Sequence, residues 1–125
     1  MKIQTATSIF ESLASGWRLE AFRLLVKRGP QGMVAGDIAS ALDISPSSLS
    51  FHLKALSHAG LVSVEQEGRF QRYRANIPLM LELIAYLTEE CCNGHPETCA
   101  GMRSASNCCD AILPPLEPPG ESPRS

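Results

Sequence analysis

Apolar residues recur at helical spacing through the first part of the chain and predict three helices. A short helix is expected over residues 7–14, a second over about 15–28, and a third over about 34–42. Ser15 suits the N-cap of the second helix, and Gly29-Pro30 would end it. The apolar face of the second helix is formed by Leu19, Phe22, Leu25 and Val26.

A fourth helix has clear signals at both of its ends. Ser45 suits the N-cap, and Pro46 suits the first helical position, where its missing N–H costs nothing. The helix is expected to end at Ala59-Gly60, because glycine commonly follows the last helical turn. Its predicted buried stripe consists of Leu49, Leu53 and Leu56.

The pattern after this helix predicts a β-hairpin and one more helix. Residues 61–66 and 69–74 resemble strands, and Glu67-Gly68 between them suits a short turn. A fifth helix should run from Asn76 to about Cys92. Its apolar residues lie on more than one face, which predicts burial against its own domain and a second subunit. These residues are Leu79, Met80, Leu83, Ile84 and Leu87.

Periodicity stops after Asn93, and prolines become frequent towards the end of the chain. We therefore expect a folded domain over residues 1–92 and a cysteine-containing loop with a disordered tail over residues 93–125. No run of residues approaches the ~20 apolar positions of a membrane span, and the N-terminus has no signal-peptide pattern. A cytoplasmic protein without a membrane partner is expected, and its thiols would stay reduced there.

The net charge of −2 taken alone argues against a nucleic-acid partner, but its distribution along the chain does not. Before Glu89, nine Lys/Arg stand against seven Asp/Glu, which gives +2. From Glu89 onward, two stand against six, which gives −4. The folded part is therefore mildly basic, and nucleic-acid binding depends on where its positive charge lies.

The order of these elements defines a winged helix-turn-helix, a mainly α fold with a β-hairpin wing. The side of the fourth helix opposite its leucines suits the major groove of operator DNA, and the arginines of the hairpin suit phosphates or the minor groove. Alternatively, the serines on this side of the fourth helix, Ser47, Ser48 and Ser50, form an ordinary solvated face. His52 alone is more often a structural hydrogen-bonding residue, and we expect Arg18 to pair with a carboxylate. The predicted DNA contacts are Ser47, Ser48, Ser50, His52, Lys54, Arg69, Arg72 and Arg74.

At these residues the chain resembles the ArsR/SmtB family of metal-responsive repressors. The resemblance covers about residues 9–92 and implies a homodimer built on the first and last helices, which binds an inverted-repeat operator. The matching segments are Leu13-Ala14-Ser15 with Arg18-Leu19-Glu20, Gly36-Asp37-Ile38-Ala39, Ser50-Phe51-His52-Leu53-Lys54-Ala55-Leu56, Ala59-Gly60-Leu61-Val62, and Glu67-Gly68-Arg69 with Tyr73-Arg74.

The chain departs from this family at both of its common metal sites. The best-known arsenic sensors carry Cys-x-Cys in the third helix, where this chain has Val34-Ala35-Gly36-Asp37-Ile38. Zinc sensors use Asp and His along the last helix, which here has no His before Cys91. The chain is more similar to the arsenic repressors whose thiols lie at the end of the last helix.

Cys91, Cys92 and Cys99 are the candidate effector ligands. Thiolates select soft ions, and three of them suit pyramidal As(III) or Sb(III) with a neutral total charge. Zn(II) or Cd(II) with His95 as a fourth ligand remains an alternative, as do a thiol-redox response and cysteines that bind nothing. Cys108-Cys109 is a second thiol pair that joins this site or competes with it for the ion, or it is incidental.

Three classes of function are candidates for this chain: a ligand-released repressor, an enzyme such as a thiol-based arsenate reductase, and a metal-buffering protein. A reductase needs an oxyanion cradle at a helix N-terminus, and Cys91 is expected at the other helix end. We therefore expect an arsenite-responsive transcriptional repressor and no enzyme. Operator binding that arsenite reverses would separate the repressor from the other two classes.

Overall fold

A computed structural model describes residues 1–89 of the protein. The residues up to Met80 form one compact unit, and a second unit begins at Leu81. The described elements are α1 (Ile3–Leu13), α2 (Gly16–Arg28), a 3₁₀ turn (Gly29–Gln31), β1 (Met33–Val34), α3 (Ala35–Leu42), α4 (Pro46–His58), β2 (Val62–Glu67), β3 (Phe70–Ala75) and α5 (Ile77–Leu87). This order confirms the winged helix-turn-helix. The expected tail over 93–125 lies outside the described residues.

The helix boundaries agree with the sequence pattern except at the start of α1 and at the end of α5, which ends at Leu87 and not near Cys92. Helix α1 begins at Ile3 rather than near residue 7, and its buried face includes Ala6 and Ser12 beside Ile9. Small buried residues carry little apolar signal, so the pattern of large apolar residues missed the first turn. The Ser15 side chain makes no cap hydrogen bond at α2. The predicted cap of α4 is confirmed, because Ser45 Oγ accepts a hydrogen bond from the Ser48 amide at 3.3 Å.

The strands form a three-stranded antiparallel sheet in the order β1-β3-β2. Glu67 pairs with Phe70, so the hairpin loop is Gly68-Arg69, one residue later than expected. The additional strand β1 was missed by the sequence pattern. Two residues are too few to show alternation, and the strand exists only through its pairing with Tyr73 and Arg72 of β3.

The core of the first unit lies where helices α2, α3 and α4 meet the sheet. α4 lies on this core through the three predicted leucines, each at most 1% exposed. Burying such a side chain contributes about 1.5–3 kcal/mol relative to leaving it exposed. This burial fixes which side of α4 remains in solvent. The largest fully buried side chains are Ile9, Leu25, Ile38, Leu49, Leu53, Leu56 and Leu61.

The end of the hairpin is joined to the start of α5 by Asn76. Its backbone amide donates to the Leu61 carbonyl at 2.8 Å, and its Nδ2 donates to the Gly60 carbonyl at 2.8 Å. Its Oδ1 accepts from the Leu79 amide at 3.2 Å, which caps the first turn of α5. One side chain therefore fixes both the exit from α4 and the entry into α5.

Candidate nucleic-acid interface

α3 and α4 form the helix-turn-helix, and α4 is its second helix. The turn between them passes through Asp43, whose φ of 56° ends α3 in the left-handed conformation. With the leucine stripe in the core, the remaining side of α4 carries hydroxyls and one ammonium group. The predicted residues that the structure places in solvent on this helix are Ser47, Ser48, Ser50 and Lys54.

Serine hydroxyls cluster at the first turn of α4. Ser45 Oγ lies 3.0 Å from Ser48 Oγ and 3.4 Å from Ser47 Oγ. Because these hydroxyls contact one another, the cluster fixes their positions at the positive end of the helix dipole. Ser50 lies outside this cluster and is exposed in the next turn. The arrangement can offer short donors and acceptors to phosphates or base edges.

His52 lies on the flank of α4, not on the outward side where the sequence pattern placed it. It is half-buried, and its Nδ1 accepts a hydrogen bond from Arg18 Nε at 3.4 Å. Arg18 Nη1 donates to the Ser12 carbonyl at 3.4 Å. Within residues 1–89 Arg18 has no carboxylate partner, so the expected ion pair is wrong there. Helix geometry explains the difference, because His52 is only one residue from the stripe residue Leu53 and turns towards α2.

Two arginines of the hairpin are engaged within the protein. Arg72 Nε lies 3.0 Å from a Glu67 carboxylate oxygen, and Arg74 Nη1 lies 2.7 Å from Glu65 Oε1. These glutamates lie on β2, which pairs with β3, and each is two residues from the position directly opposite its arginine. The two ion pairs cancel most of the positive charge that the sequence assigned to the wing. Arg69 in the hairpin loop is exposed, and among the described residues no hydrogen bond or ion pair involves its side chain.

The same two arginines also bind the wing to the 3₁₀ turn. Arg72 Nη1 donates to the Gln31 carbonyl at 3.0 Å, and Arg74 Nε donates to the Pro30 carbonyl at 2.9 Å. The hydrogen bonds connect segments more than forty positions apart in the chain. Arg72 and Arg74 therefore position the wing, and each reaches a carboxylate and a carbonyl at once.

Tyr73 lies between these arginines on β3 and is buried. Its hydroxyl donates to Gln71 Oε1 at 3.2 Å. Burial raises the pKa of Tyr73 above its ordinary value, because the phenolate would lose hydration there. The side chain is therefore neutral at physiological pH and acts as part of the wing's packing.

Phe51 is the residue of this surface that the sequence pattern missed. Its side chain is 61% exposed, on the outward side of α4 among the polar residues. Arg18 Cζ lies 6.0 Å from the centroid of the Phe51 ring. The centroids of the Phe51 and His52 rings are 5.6 Å apart, and the angle between the ring planes is 64°. A helical projection of α4 would have found it, because Phe51 falls opposite the leucine stripe.

The predicted effector ligands Cys91, Cys92 and Cys99 lie outside the described residues. Among residues 1–89 no group of three His, Cys, Asp or Glu side chains is arranged to hold a metal ion. None of the helices in this range is both long and apolar enough to cross a bilayer.

Known proteins resemble this chain in sequence. A helix-turn-helix domain family model matches residues 13–65. The chain is 32% identical over 80 residues to the transcriptional repressor SdpR of Bacillus subtilis (strain 168), which covers 64% of this chain and 86% of that protein. It is 34% identical over 83 residues to the arsenical resistance operon repressor of the same organism, with coverages of 66% and 74%.

Solved structures share the fold. An ArsR-like transcriptional regulator from Rhodococcus sp. RHA1 superimposes with a TM-score of 0.61 at 26% identity, covering 82% of this chain and 93% of that one. A homodimeric winged helix-turn-helix DNA-binding domain from Mycobacterium bovis, a possible ArsR-family regulator, gives 0.56 at 26% identity, with coverages of 74% and 86%.

The fold, the side of α4 that faces away from the core beside a hairpin, and these similarities define a winged helix-turn-helix transcriptional regulator that binds DNA. The similarity to the two Bacillus repressors extends over most of their length. The chain belongs to the ArsR family.

Proposed function

We propose that the protein is a repressor that binds operator DNA as a homodimer and leaves it when As(III) or Sb(III) binds Cys91, Cys92 and Cys99. The observation that carries the DNA part is the outward side of α4, which is polar apart from Phe51, held by a buried leucine stripe and adjacent in sequence to the wing. The donor set carries the effector part, because three thiolates neutralise the charge of a trivalent metalloid. The similarity to an arsenical resistance operon repressor supports the same effector.

The DNA contacts divide between α4 and the wing. Ser47, Ser48 and Ser50 would lie near base edges and phosphates, and Lys54 would add a phosphate contact from the same side of the helix. On the wing, Arg69 is the cation that the described contacts leave available to DNA. Arg72 and Arg74 contribute by holding the hairpin in place, and would reach phosphates only by giving up Glu67 or Glu65.

Exposed apolar residues on the first and last helices support the homodimer. Ile3 and Phe10 of α1 are 63% and 49% exposed, and Leu87 of α5 is 58% exposed. A short chain gains stability when such residues are covered by a second copy. The homodimeric Mycobacterium bovis domain has the same fold. In this dimer the two copies of α4 would lie about 34–36 Å apart, one turn of DNA.

The effector hypothesis is tested by titrating the full chain, reduced, on its own promoter DNA with arsenite, zinc or cadmium. Release by arsenite at a lower concentration than by the other two ions is expected. The coupling between ion and DNA should lower operator affinity about 5- to 150-fold, as is typical of linked sites. Release by zinc or cadmium alone would favour the alternative site that includes His95.

Cysteine variants distinguish the three-thiolate site from the other thiols. Changing Cys91, Cys92 or Cys99 to Ser should leave DNA binding intact and abolish the arsenite response, because two thiolates hold the ion poorly. Cys108→Ser and Cys109→Ser are the comparison variants and should affect the response less. A wild-type arsenite response from Cys99→Ser would contradict the proposed site.

The wing assignment is tested by the salt dependence of DNA binding. Arg69→Ala should weaken binding and reduce the slope of log affinity against log salt by about 2, because the dimer loses one phosphate contact, worth about 0.9, in each copy. Arg74→Ala is the comparison, since this arginine is paired with Glu65 and the Pro30 carbonyl. Arg74→Ala should lower both the free energy of unfolding and the affinity for DNA. An unchanged slope for Arg69→Ala would exclude the hairpin loop from the phosphates.

A further inference from the structure

We infer that Phe51 reads the 5-methyl group of a thymine in the major groove of each half-site. The inference rests on the proposed function, since it requires α4 to enter that groove. Phe51 lies midway between Leu49 and Leu53, which are both buried, and at about 100° per residue this places it on the opposite side of the helix. Its side chain is 61% exposed. Any groove that receives α4 therefore receives this ring.

Exposure alone does not define a contact, because single exposed apolar side chains are common on protein surfaces. The second observation is that neighbouring groups hold the ring. The Arg18 guanidinium carbon lies 6.0 Å from the ring centroid, within the range of a cation–π contact. The His52 ring meets Phe51 edge-on at 5.6 Å. Arg18 is itself fixed by the His52 imidazole and the Ser12 carbonyl.

These contacts restrict the ring before DNA arrives, while most of it stays in solvent. A side chain that is already ordered loses less conformational entropy on binding. A side chain held out of the core yet ordered by neighbours is suited to a contact of defined position. The polar residues beside it, Ser50 and Lys54, can form hydrogen bonds but cannot recognise an apolar group.

Thymine is the base that offers such an apolar group in the major groove. Each base pair presents hydrogen-bonding groups there, and thymine adds the C5-methyl, which phenylalanine is able to contact. Cytosine presents an amino donor and no methyl group. Phe51 would therefore favour thymine at one position of each half-site, and the hydroxyls of α4 would read or position its neighbours.

The experiment separates this contact from DNA binding itself. Duplexes that bind the full chain are first enriched from a random pool, and each thymine in the bound sequence is then replaced by deoxyuridine, which lacks only the methyl group. For the wild type, removal of the methyl group from the contacted thymine of a single half-site should lower affinity about fourfold, the value expected for burial of one methyl-sized group.

Phe51→Ala should bind the thymine and deoxyuridine duplexes equally, while Phe51→Leu, which keeps an apolar side chain, should retain part of the preference. Lys54→Ala is the matched control on the same side of α4, and should weaken binding to both duplexes by the same factor. Circular dichroism checks that each variant is folded, as expected for side chains that lie in solvent.

The results distinguish a failure of the proposed methyl contact from a failure of the proposed DNA-binding function. If no thymine in the enriched sequence responds to methyl removal, or if Phe51→Ala keeps the wild-type ratio, the methyl contact is wrong although the protein binds DNA. If no sequence is enriched from the pool, the proposed DNA-binding function fails and the inference fails with it.

Discussion

Replacing Gly32 by alanine should destabilise the protein more than any other glycine-to-alanine change in the turn before β1. Gly32 has φ 64° and ψ −162°, a conformation that residues with a Cβ atom rarely adopt, at a cost of about 1–3 kcal/mol. A Cβ atom there would overlap the Tyr73 carbonyl oxygen and lie 2.7 Å from Arg74 Cγ. The backbone oxygen cannot move without disturbing the pairing of β1 with β3.

Two other glycines separate these contributions. Gly29 has a similar backbone conformation, φ 70° and ψ −149°, but a Cβ atom there meets nothing within 4 Å. Gly29→Ala should therefore cost only the conformational term, about 1–3 kcal/mol. Gly36 is helical and also open, so Gly36→Ala should leave stability unchanged or raise it by up to about 1 kcal/mol. For Gly32→Ala the steric overlap adds to the conformational cost, and a total of about 2–5 kcal/mol is expected when one or two hydrogen bonds at about 1 kcal/mol each are lost.

Urea unfolding followed by circular dichroism measures all three variants on one scale. We expect the free energy of unfolding to be highest for Gly36→Ala, intermediate for Gly29→Ala and lowest for Gly32→Ala. Because the turn supplies the carbonyls that bind Arg72 and Arg74, Gly32→Ala should also weaken DNA binding. A Gly32→Ala protein no less stable than Gly29→Ala would refute the close approach of the turn to β3.

Two further predictions concern the cap of α4 and the packing of the wing. Ser45→Ala should lower the free energy of unfolding by about 0.5–2 kcal/mol. Ser15→Ala should change it less, because the Ser15 side chain makes no cap hydrogen bond. Equal losses of stability for the two variants in thermal melts would contradict the cap assignment. Because burial raises the pKa of Tyr73, the unfolded tyrosine ionises first, and stability should fall as pH rises past about 10. Tyr73→Phe should lose less stability over that range, and identical alkaline unfolding of the two proteins would exclude this effect.

The order of the helices and the hairpin could be predicted from sequence because each element carries its own local signal. α4 is the clearest example, since Ser45, Pro46 and the leucine stripe agree on one start, one direction and one buried side. Strand β1 could not be predicted, because two residues have no period and their pairing partner lies on β3. A helix or strand can be predicted when its end signals and its apolar spacing agree. Pairing between segments that are distant in sequence leaves no such signal in either segment.

The candidate site shows the same division. The exposed serines and Lys54 follow directly from the leucine stripe. The engagement of Arg72 and Arg74 depends on carbonyls of the 3₁₀ turn, and nothing in the sequence of the hairpin indicates those partners. Their pairing with Glu65 and Glu67 could have been foreseen, because in an antiparallel hairpin residues on facing strands are neighbours. Counting the arginines without their glutamates overestimated the charge of the wing.

This revised charge has a consequence for the proposed switch. If Lys54 and Arg69 supply the phosphate contacts of α4 and the wing loop, each copy contributes a salt slope of about −2 and the dimer one of about −4. One copy with so few phosphate contacts binds weakly, so operator affinity depends on both copies of α4 engaging at once. An effector then need not alter α4 or the wing. In the proposed dimer, a change in the spacing of the two copies that is made at the end of the last helix would be sufficient to release the DNA. It would remove one half of the contacts and leave the reading surface of each copy intact.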